Sequence, residues 1–187
     1  MGDRLAAHRW GLIPGWARDE AIAHRTFNAR SETAATKPAF RAAYQERRCL
    51  VPLNGFYEWR RRGGRREPHW FHPADGEADL WAAAGLWERW IGGDGGVVAS
   101  CTVLTTSAND VVAPVHDRMP VLLSPLDYDR WLDPRPAAPD ALEDLLVPWP
   151  AERTGVRAVA ERVNDVRADG PDLLLPAEPA AQGELFE

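Results

Sequence analysis

Val51-Pro52-Leu53-Asn54-Gly55-Phe56-Tyr57-Glu58-Trp59 is the stretch on which the reading of the chain turns. The apolar run over 49–53 enters it as a buried strand. Asn54-Gly55 breaks the run, and residues 56–59 resume as a second strand. One carboxylate, Glu58, stands among the rings of Phe56, Tyr57 and Trp59. A carboxylate on a half-buried strand either finds a partner or keeps its proton at a raised pKa, and that is how a general acid or base is made. The plainer alternative is an edge-strand charge facing water.

Toward the N-terminus, Pro38 opens a helix to about Arg48, with Phe40 and Tyr44 four apart on one face. Residues 27–33 follow a polar loop, and 10–16, broken by Gly and Pro, predict a strand end and a turn. Toward the C-terminus, Gly63-Gly64 marks a turn. Strands are predicted over 68–71, 80–90 and 97–105, the last with Val97, Ala99, Cys101 and Val103 alternating. A loop over 111–120 holds His116-Asp117-Arg118. Ser124-Pro125-Leu126-Asp127 has the form of a helix start. A second helix is expected from Asp140 and a last strand over 156–163. From Asp165 the chain is rich in Asp, Ala, Pro and Gly, and a disordered tail is expected over 166–187. The class is α+β: one domain over 1–165, built on mostly antiparallel, hairpin-linked strands with a few short helices.

The 187 residues suit one domain, with 45% hydrophobic residues for its core. No stretch has the length of a membrane span or the pattern of a signal peptide, so a soluble cytoplasmic protein is expected. Cys49 and Cys101 each lie in an apolar strand and read as small buried hydrophobes in a reducing compartment. The five histidines show no metal-ligand spacing, so neither metal nor cofactor is expected. The net charge of −6 is uneven. Residues 1–70 carry 14 Lys and Arg against 7 Asp and Glu, and the remainder is correspondingly acidic. The basic half suggests a face for a polyanion, unless it is only a solvated charge pattern. Some of the nine tryptophans are candidates for stacking on bases, the rest for the core.

Four pieces together resemble the SRAP (SOS response-associated peptidase) family of abasic-site processing proteins: Trp10-Gly-Leu-Ile-Pro-Gly-Trp16, Asn28-Ala-Arg-Ser-Glu-Thr33, Pro52-Leu-Asn-Gly-Phe-Tyr-Glu-Trp59 and His116-Asp-Arg-Met-Pro120. The resemblance covers about residues 8–165. It implies a sheet with a barrel-like core, and a covalent cross-link to abasic sites in single-stranded DNA in the DNA-damage response. By that resemblance Asn28, Glu58 and His116 match active-site positions: Asn28 orients, Glu58 shuttles protons, and His116 donates a proton or steadies a phosphate. A polar turn residue and a loop histidine paired with Asp117 are the plainer alternatives. Arg30 and Lys37 are candidates for phosphates, Thr105 for a position near the DNA, and Trp16 for a base, unless Trp16 is core.

The family's nucleophile is a cysteine at position 2, freed when the initiator methionine is removed. Its α-amine forms a Schiff base with the opened sugar, and its thiol closes a thiazolidine. Here residue 2 is Gly. The expectation is that about the first quarter of the family domain, with that cysteine, is missing through a misassigned start or a shortened form. The chain as written is then expected to bind without forming the stable adduct. Three functions stay open: a cross-linker, a self-processing cysteine-type peptidase, and a single-stranded DNA-binding remnant. The expected state is a monomer associated with the nucleoid. Near the end, Gln182, Leu185 and Phe186 resemble the peptide by which bacterial repair proteins dock on the replication sliding clamp.

Overall fold

The computed structural model describes residues 5–74, 79–138 and 140–177. In chain order the strands and helices are β1 (Arg9–Trp10), β2 (Asn28–Arg30), α1 (Ser31–Ala34), α2 (Arg41–Glu46), β3 (Arg48–Leu53), β4 (Phe56–Arg62), β5 (Arg65–Pro73), β6 (Trp81–Ile91), β7 (Val97–Ser107), β8 (Arg118–Pro120), α3 (Tyr128–Leu132) and β9 (Thr154–Ala158). They form two sheets, one of six strands and one made of β4, β5 and β9. Among the described residues the strands do not close into a barrel, which corrects the barrel-like core. The α+β class stands, and most pairs are antiparallel. The exceptions are β1 and β2, which lie one after the other along β7 and parallel to it.

The break at Asn54-Gly55 is where the chain leaves one sheet for the other. β3 pairs with β6 in the large sheet, and β4 pairs with β5 in the small one. A Cβ on Gly55 would lie 2.2 Å from the Phe71 carbonyl oxygen, so the crossing passes too close to β5 for any side chain. At the other end of the large sheet β6 parts from β7 at the pair Gly85–Val103, and β8 takes its place from Thr105 onward.

Both faces of the large sheet are covered, and on β7 the buried positions are Ser100, Thr102, Leu104 and Thr106. On one face Ala84, Leu86 and Leu104 pack against Tyr44 of α2, Trp131 of α3, Leu142 and Leu145. Phe40 and Tyr44 are both buried, as their spacing predicts. On the other face Val51, Leu53, Trp81 and Ala83 meet Phe56 and Phe71 of the small sheet, together with Val112, Met119 and Trp149. The Phe56 and Phe71 rings stack 5.1 Å apart, an arrangement worth about 0.5–1.5 kcal/mol beyond the area it buries.

Arg48 departs from the pattern of the basic half. It is buried, and its guanidinium donates to the carbonyls of Trp131 (2.7 Å), Tyr44 (2.6 Å), Gln45 (2.6 Å), Arg135 (3.2 Å) and Asp133. It ties α2, β3 and the end of α3 together.

Several boundaries move. The helix expected over 38–48 is α2 alone, preceded by backbone turns around Lys37. In the polar loop before residue 27 a 3-10 helix runs over Glu20–Arg25, with the Asp19 side chain accepting from Ala21 N–H at its start. The helix expected from Asp140 is only a 3-10 turn, Glu143–Leu145, and Leu142, Leu145 and Leu146, spaced three and one apart, all pack into the core. The last strand is Thr154–Ala158, two residues earlier than expected, and a 3-10 turn at Glu161–Asn164 replaces its second half. Of the stretch 166–187, residues up to 177 are described and lie at the surface. Pro171–Leu174 form a 3-10 turn, and Pro176 bridges Val159. Residues 178–187, with Gln182, Leu185 and Phe186, lie outside the described residues.

Candidate active site and nucleic-acid interface

Glu58 lies on the face of β4 that also carries Phe56, since alternate strand residues share a face. Phe56 is in the inter-sheet core, so Glu58, one step further along, sits at the margin of that core. Its side chain keeps 27% of its surface exposed. β4 is an edge strand of the small sheet, and Glu58 is about three-quarters covered there. Burial pushes the Glu58 carboxyl above its ordinary range. The nearby His116 and a hydrogen bond from the Trp59 backbone N–H work the other way.

His116 reaches Glu58 from the other sheet. Its Nδ1 lies 3.8 Å from Glu58 Oε1 and 3.4 Å from Asp117 Oδ1. The same nitrogen is 3.0 Å from the Arg118 backbone N and 3.2 Å from the Arg118 carbonyl oxygen. A neutral ring can accept the Arg118 N–H there, whereas an imidazolium turns a proton toward the three oxygens. The site thus offers a partner for either state of the ring.

The turn that delivers His116 is held by Asn109. Its buried amide donates to the Trp149 carbonyl (2.8 Å) and Thr154 Oγ1 (3.0 Å), and its Oδ1 accepts from the backbone N–H groups of Val111 and Val112. The Val112 carbonyl then accepts the His116 N–H at 3.0 Å. Sequence reading missed Asn109. Its signal was the Asn-Asp pair after a strand, an ordinary turn former.

Asn28 is exposed at the start of β2, where it pairs with Val103. Paired residues share a sheet face. Val103 belongs with Val51 and Trp81 to the face covered by the small sheet, so Asn28 lies on the same side of the large sheet as Glu58. The next pair on that face is Arg30 with Thr105. The Arg118 guanidinium grips the Glu32 carboxylate with two bonds of 2.6 and 2.9 Å and the Thr105 carbonyl at 2.5 Å. That clamp, which holds the Glu32 carboxyl below its ordinary range, ties α1 and the end of β2 to the strand that follows His116. Glu58 and His116 are thus brought into contact, and Asn28 is joined to them through β7 and β8.

Trp16 is not a core residue: it is 60% exposed, with its indole N–H donating to the Pro38 carbonyl at 3.1 Å. Lys37, next to that carbonyl, is exposed, as is Arg30. Trp10, 62% exposed, is pinned in the same way: its indole donates to the Phe27 carbonyl at 2.8 Å, and the exposed Phe27 ring lies edge-on to it. Trp10 and Phe27 were not singled out from sequence for base stacking, although both fall in the basic half. Cys49 and Cys101 lie on strands of the face that carries Asn28, opposite Gly85 and Trp10. Burial pushes the Cys49 thiol up to about 12 and raises that of Cys101. Neither is suited to act as a thiolate nucleophile.

Fold and site together define an α+β protein that holds a carboxylate–imidazole pair between two sheets. The chain belongs to the SOS response associated peptidase (SRAP) family, whose profile matches residues 1–166. It is 38% identical over 175 residues to the abasic site processing protein YoqW of Bacillus subtilis, covering 92% of this chain and 76% of that protein. It is 32% identical over 192 residues to the abasic site processing protein HMCES of Gallus gallus, where 91% of this chain matches 56% of the relative. A crystal structure of a Bacteroides thetaiotaomicron protein superposes with a TM-score of 0.82 at 29% identity, over 90% of this chain and 75% of that one. No helix among the described residues is long and apolar enough to cross a membrane.

Proposed function

We propose that this protein binds single-stranded DNA and processes abasic sites in it, with Glu58 and His116 moving protons and Asn28 orienting the reacting groups. The observation that carries the reading is the 3.8 Å approach of Glu58 to His116, a half-buried carboxyl beside an imidazole at an accessible rim. The substrate class comes from the names of the relatives.

The chemistry asks for such a pair. An abasic sugar opens to an aldehyde. An amine adds to the carbonyl carbon, and the carbinolamine oxygen must take a proton to leave as water and give an imine. A thiol on the same residue then adds to the imine carbon while the nitrogen takes a proton, which closes a thiazolidine. Glu58, with its raised pKa, supplies the proton to the departing oxygen and recovers it in the reverse direction. His116 relays it. The aminothiol is not Cys49 or Cys101, since neither carries a free α-amine. Trp16, joined by Trp10 and Phe27, offers ring faces to bases, and Arg30 and Lys37, with Thr105 alongside, hold phosphates. The protein acts in this reading as a cytoplasmic, nucleoid-associated monomer. Docking of Gln182, Leu185 and Phe186 on the sliding clamp would bring it to stalled forks.

The test is a binding titration on a single-stranded oligonucleotide with one abasic site, beside the intact oligonucleotide and a duplex. It is followed by addition of a free 1,2-aminothiol such as cysteine methyl ester. The abasic strand is expected to bind tightest, and the protein to speed thiazolidine formation on it more than Glu58→Gln does. Equal binding of all three with no acceleration overturns the reading. Peptide cleavage in the absence of DNA replaces it with a peptidase.

A further inference from the structure

The β4–β5 hairpin projects past its neighbour: β9 pairs with β5 only over His69–Pro73. The tip is Gly63-Gly64, with φ of +55° and +81°. Two left-handed residues in succession are what a two-residue type I′ turn requires, so the register of the arms is set. That register puts Arg62 opposite Arg65, Arg61 opposite Arg66 and Arg60 opposite Glu67. Like charges facing each other across strands destabilise a hairpin. Local contacts relieve part of this: Arg60 pairs with Glu67 at 2.6 Å, and Arg66 lies over the Trp59 ring at 5.3 Å. Arg61, Arg62 and Arg65 are exposed and form no ion pair among the described residues. In a chain of net charge −6, this leaves a cluster of guanidinium groups at one tip, offset only in part by Glu67.

The cluster is aligned with the site. Along one face of the hairpin the facing pairs are Phe56–Phe71 in the core, Glu58–His69, Arg60–Glu67 and Arg62–Arg65. Arg62 is four residues beyond Glu58, roughly 13 Å at the rise of an extended strand. A cleft of about 790 Å³ opens at the flank of the hairpin, with Trp59, Arg65, Arg66 and Asn164 in its wall and Glu161 also lining it. Guanidinium groups match phosphate oxygens two bonds at a time, and a polyanion cancels the repulsion that the register imposes.

We propose that the β4–β5 hairpin is a phosphate-binding arm on which Arg61, Arg62 and Arg65 hold the DNA strand to one side of the group that faces Glu58. The proposal rests on the DNA reading above and adds a direction to it. Backbone contacts carry no base information, so the arm acts on any sequence, and only on strands that extend past the lesion on its own side.

The experiment is fluorescence anisotropy at several salt concentrations, with abasic single-stranded oligonucleotides carrying the lesion at the centre or near either end. It compares the full chain with Arg61→Gln/Arg62→Gln/Arg65→Gln. The slope of log affinity against log salt is expected to fall by about 2 in the triple variant, since each phosphate contact on a single strand contributes about 0.7. The fall should disappear for one of the two end-placed lesions. The single variant Arg62→Gln, which only removes one facing like charge, should lose about 0.7 of slope with no loss of thermal stability. Equal slopes in wild type and both variants, or a loss indifferent to where the lesion lies, overturn the arm and leave the DNA reading standing. Absence of salt-dependent binding in wild type overturns both.

Discussion

Replacing Glu58 with Gln keeps the shape of the side chain and removes its proton equilibrium. Glu58 is three-quarters covered, and burial is the largest influence raising its pKa. The folded chain therefore holds this proton more tightly than the unfolded chain does. The stability Glu58 contributes is fully present below the ordinary glutamate value and is lost as pH rises through the raised folded value. Glu58→Gln escapes that loss, so it should melt above wild type on the alkaline side. Each pH unit of elevation corresponds to about 1.4 kcal/mol, or about 2–4 °C for a chain of this size. A higher melting temperature near pH 8 is expected, with an advantage that shrinks as pH falls toward the ordinary glutamate range. The two melting curves should meet below about pH 4, where the carboxyl is protonated in both states. Differential scanning calorimetry without DNA, from pH 4 to pH 8, reads this directly. If Glu58→Gln melts at or below wild type at pH 8, or if its advantage grows toward acid pH, the buried-acid account of Glu58 is wrong. On the chemical side the same variant should slow aminothiol capture of the abasic aldehyde by about 10²–10⁴ and leave noncovalent DNA affinity nearly unchanged.

Arg48→Met removes the donor to several buried carbonyls and should cost about 3–5 kcal/mol, read as a fall in Tm of about 10 °C; a shift under about 2 °C would show that water replaces the guanidinium. Trp16→Ala should weaken single-stranded DNA binding by about 1–3 kcal/mol while Tm holds, because the ring is exposed and outside the core; unchanged affinity would remove Trp16 from the interface. Cys49, with a thiol pushed up to about 12, should resist a disulfide reagent at pH 8 in the native chain and react only on unfolding. Rapid labelling mapped to Cys49 would contradict its burial.

The residues around Gly55 show how much of the fold was legible. Two strands broken at Asn54-Gly55, the Gly63-Gly64 turn and the Phe40–Tyr44 face are local signals, and each survives in the structure; along β7 the strand survives, but its most buried residues are Ser100, Thr102, Leu104 and Thr106 and not the apolar set Val97, Ala99, Cys101 and Val103. Glu58 among its rings was legible as a candidate. How far it is covered was not, because strand alternation tells which residues share a face and says nothing of what covers that face. His116 covers it from the other sheet, on a turn held by Asn109 and by β9.

The arginines separate the two kinds of information further. Sequence shows a basic half and nothing to tell Arg48 from Arg61. Folding buries Arg48 among carbonyls that converge from α2, α3 and the segment after it, and leaves Arg61 opposite Arg66 at an exposed tip. Trp16 and Trp131 part in the same way, one 60% exposed and the other fully buried. Strand period, turn chemistry and helix caps depend on neighbours a few residues away, and the sequence by itself determined them. Desolvation, partner carbonyls and the pairing of a carboxylate with an imidazole depend on groups tens of residues apart, so only the tertiary structure decided which charges are buried and which are left for a ligand.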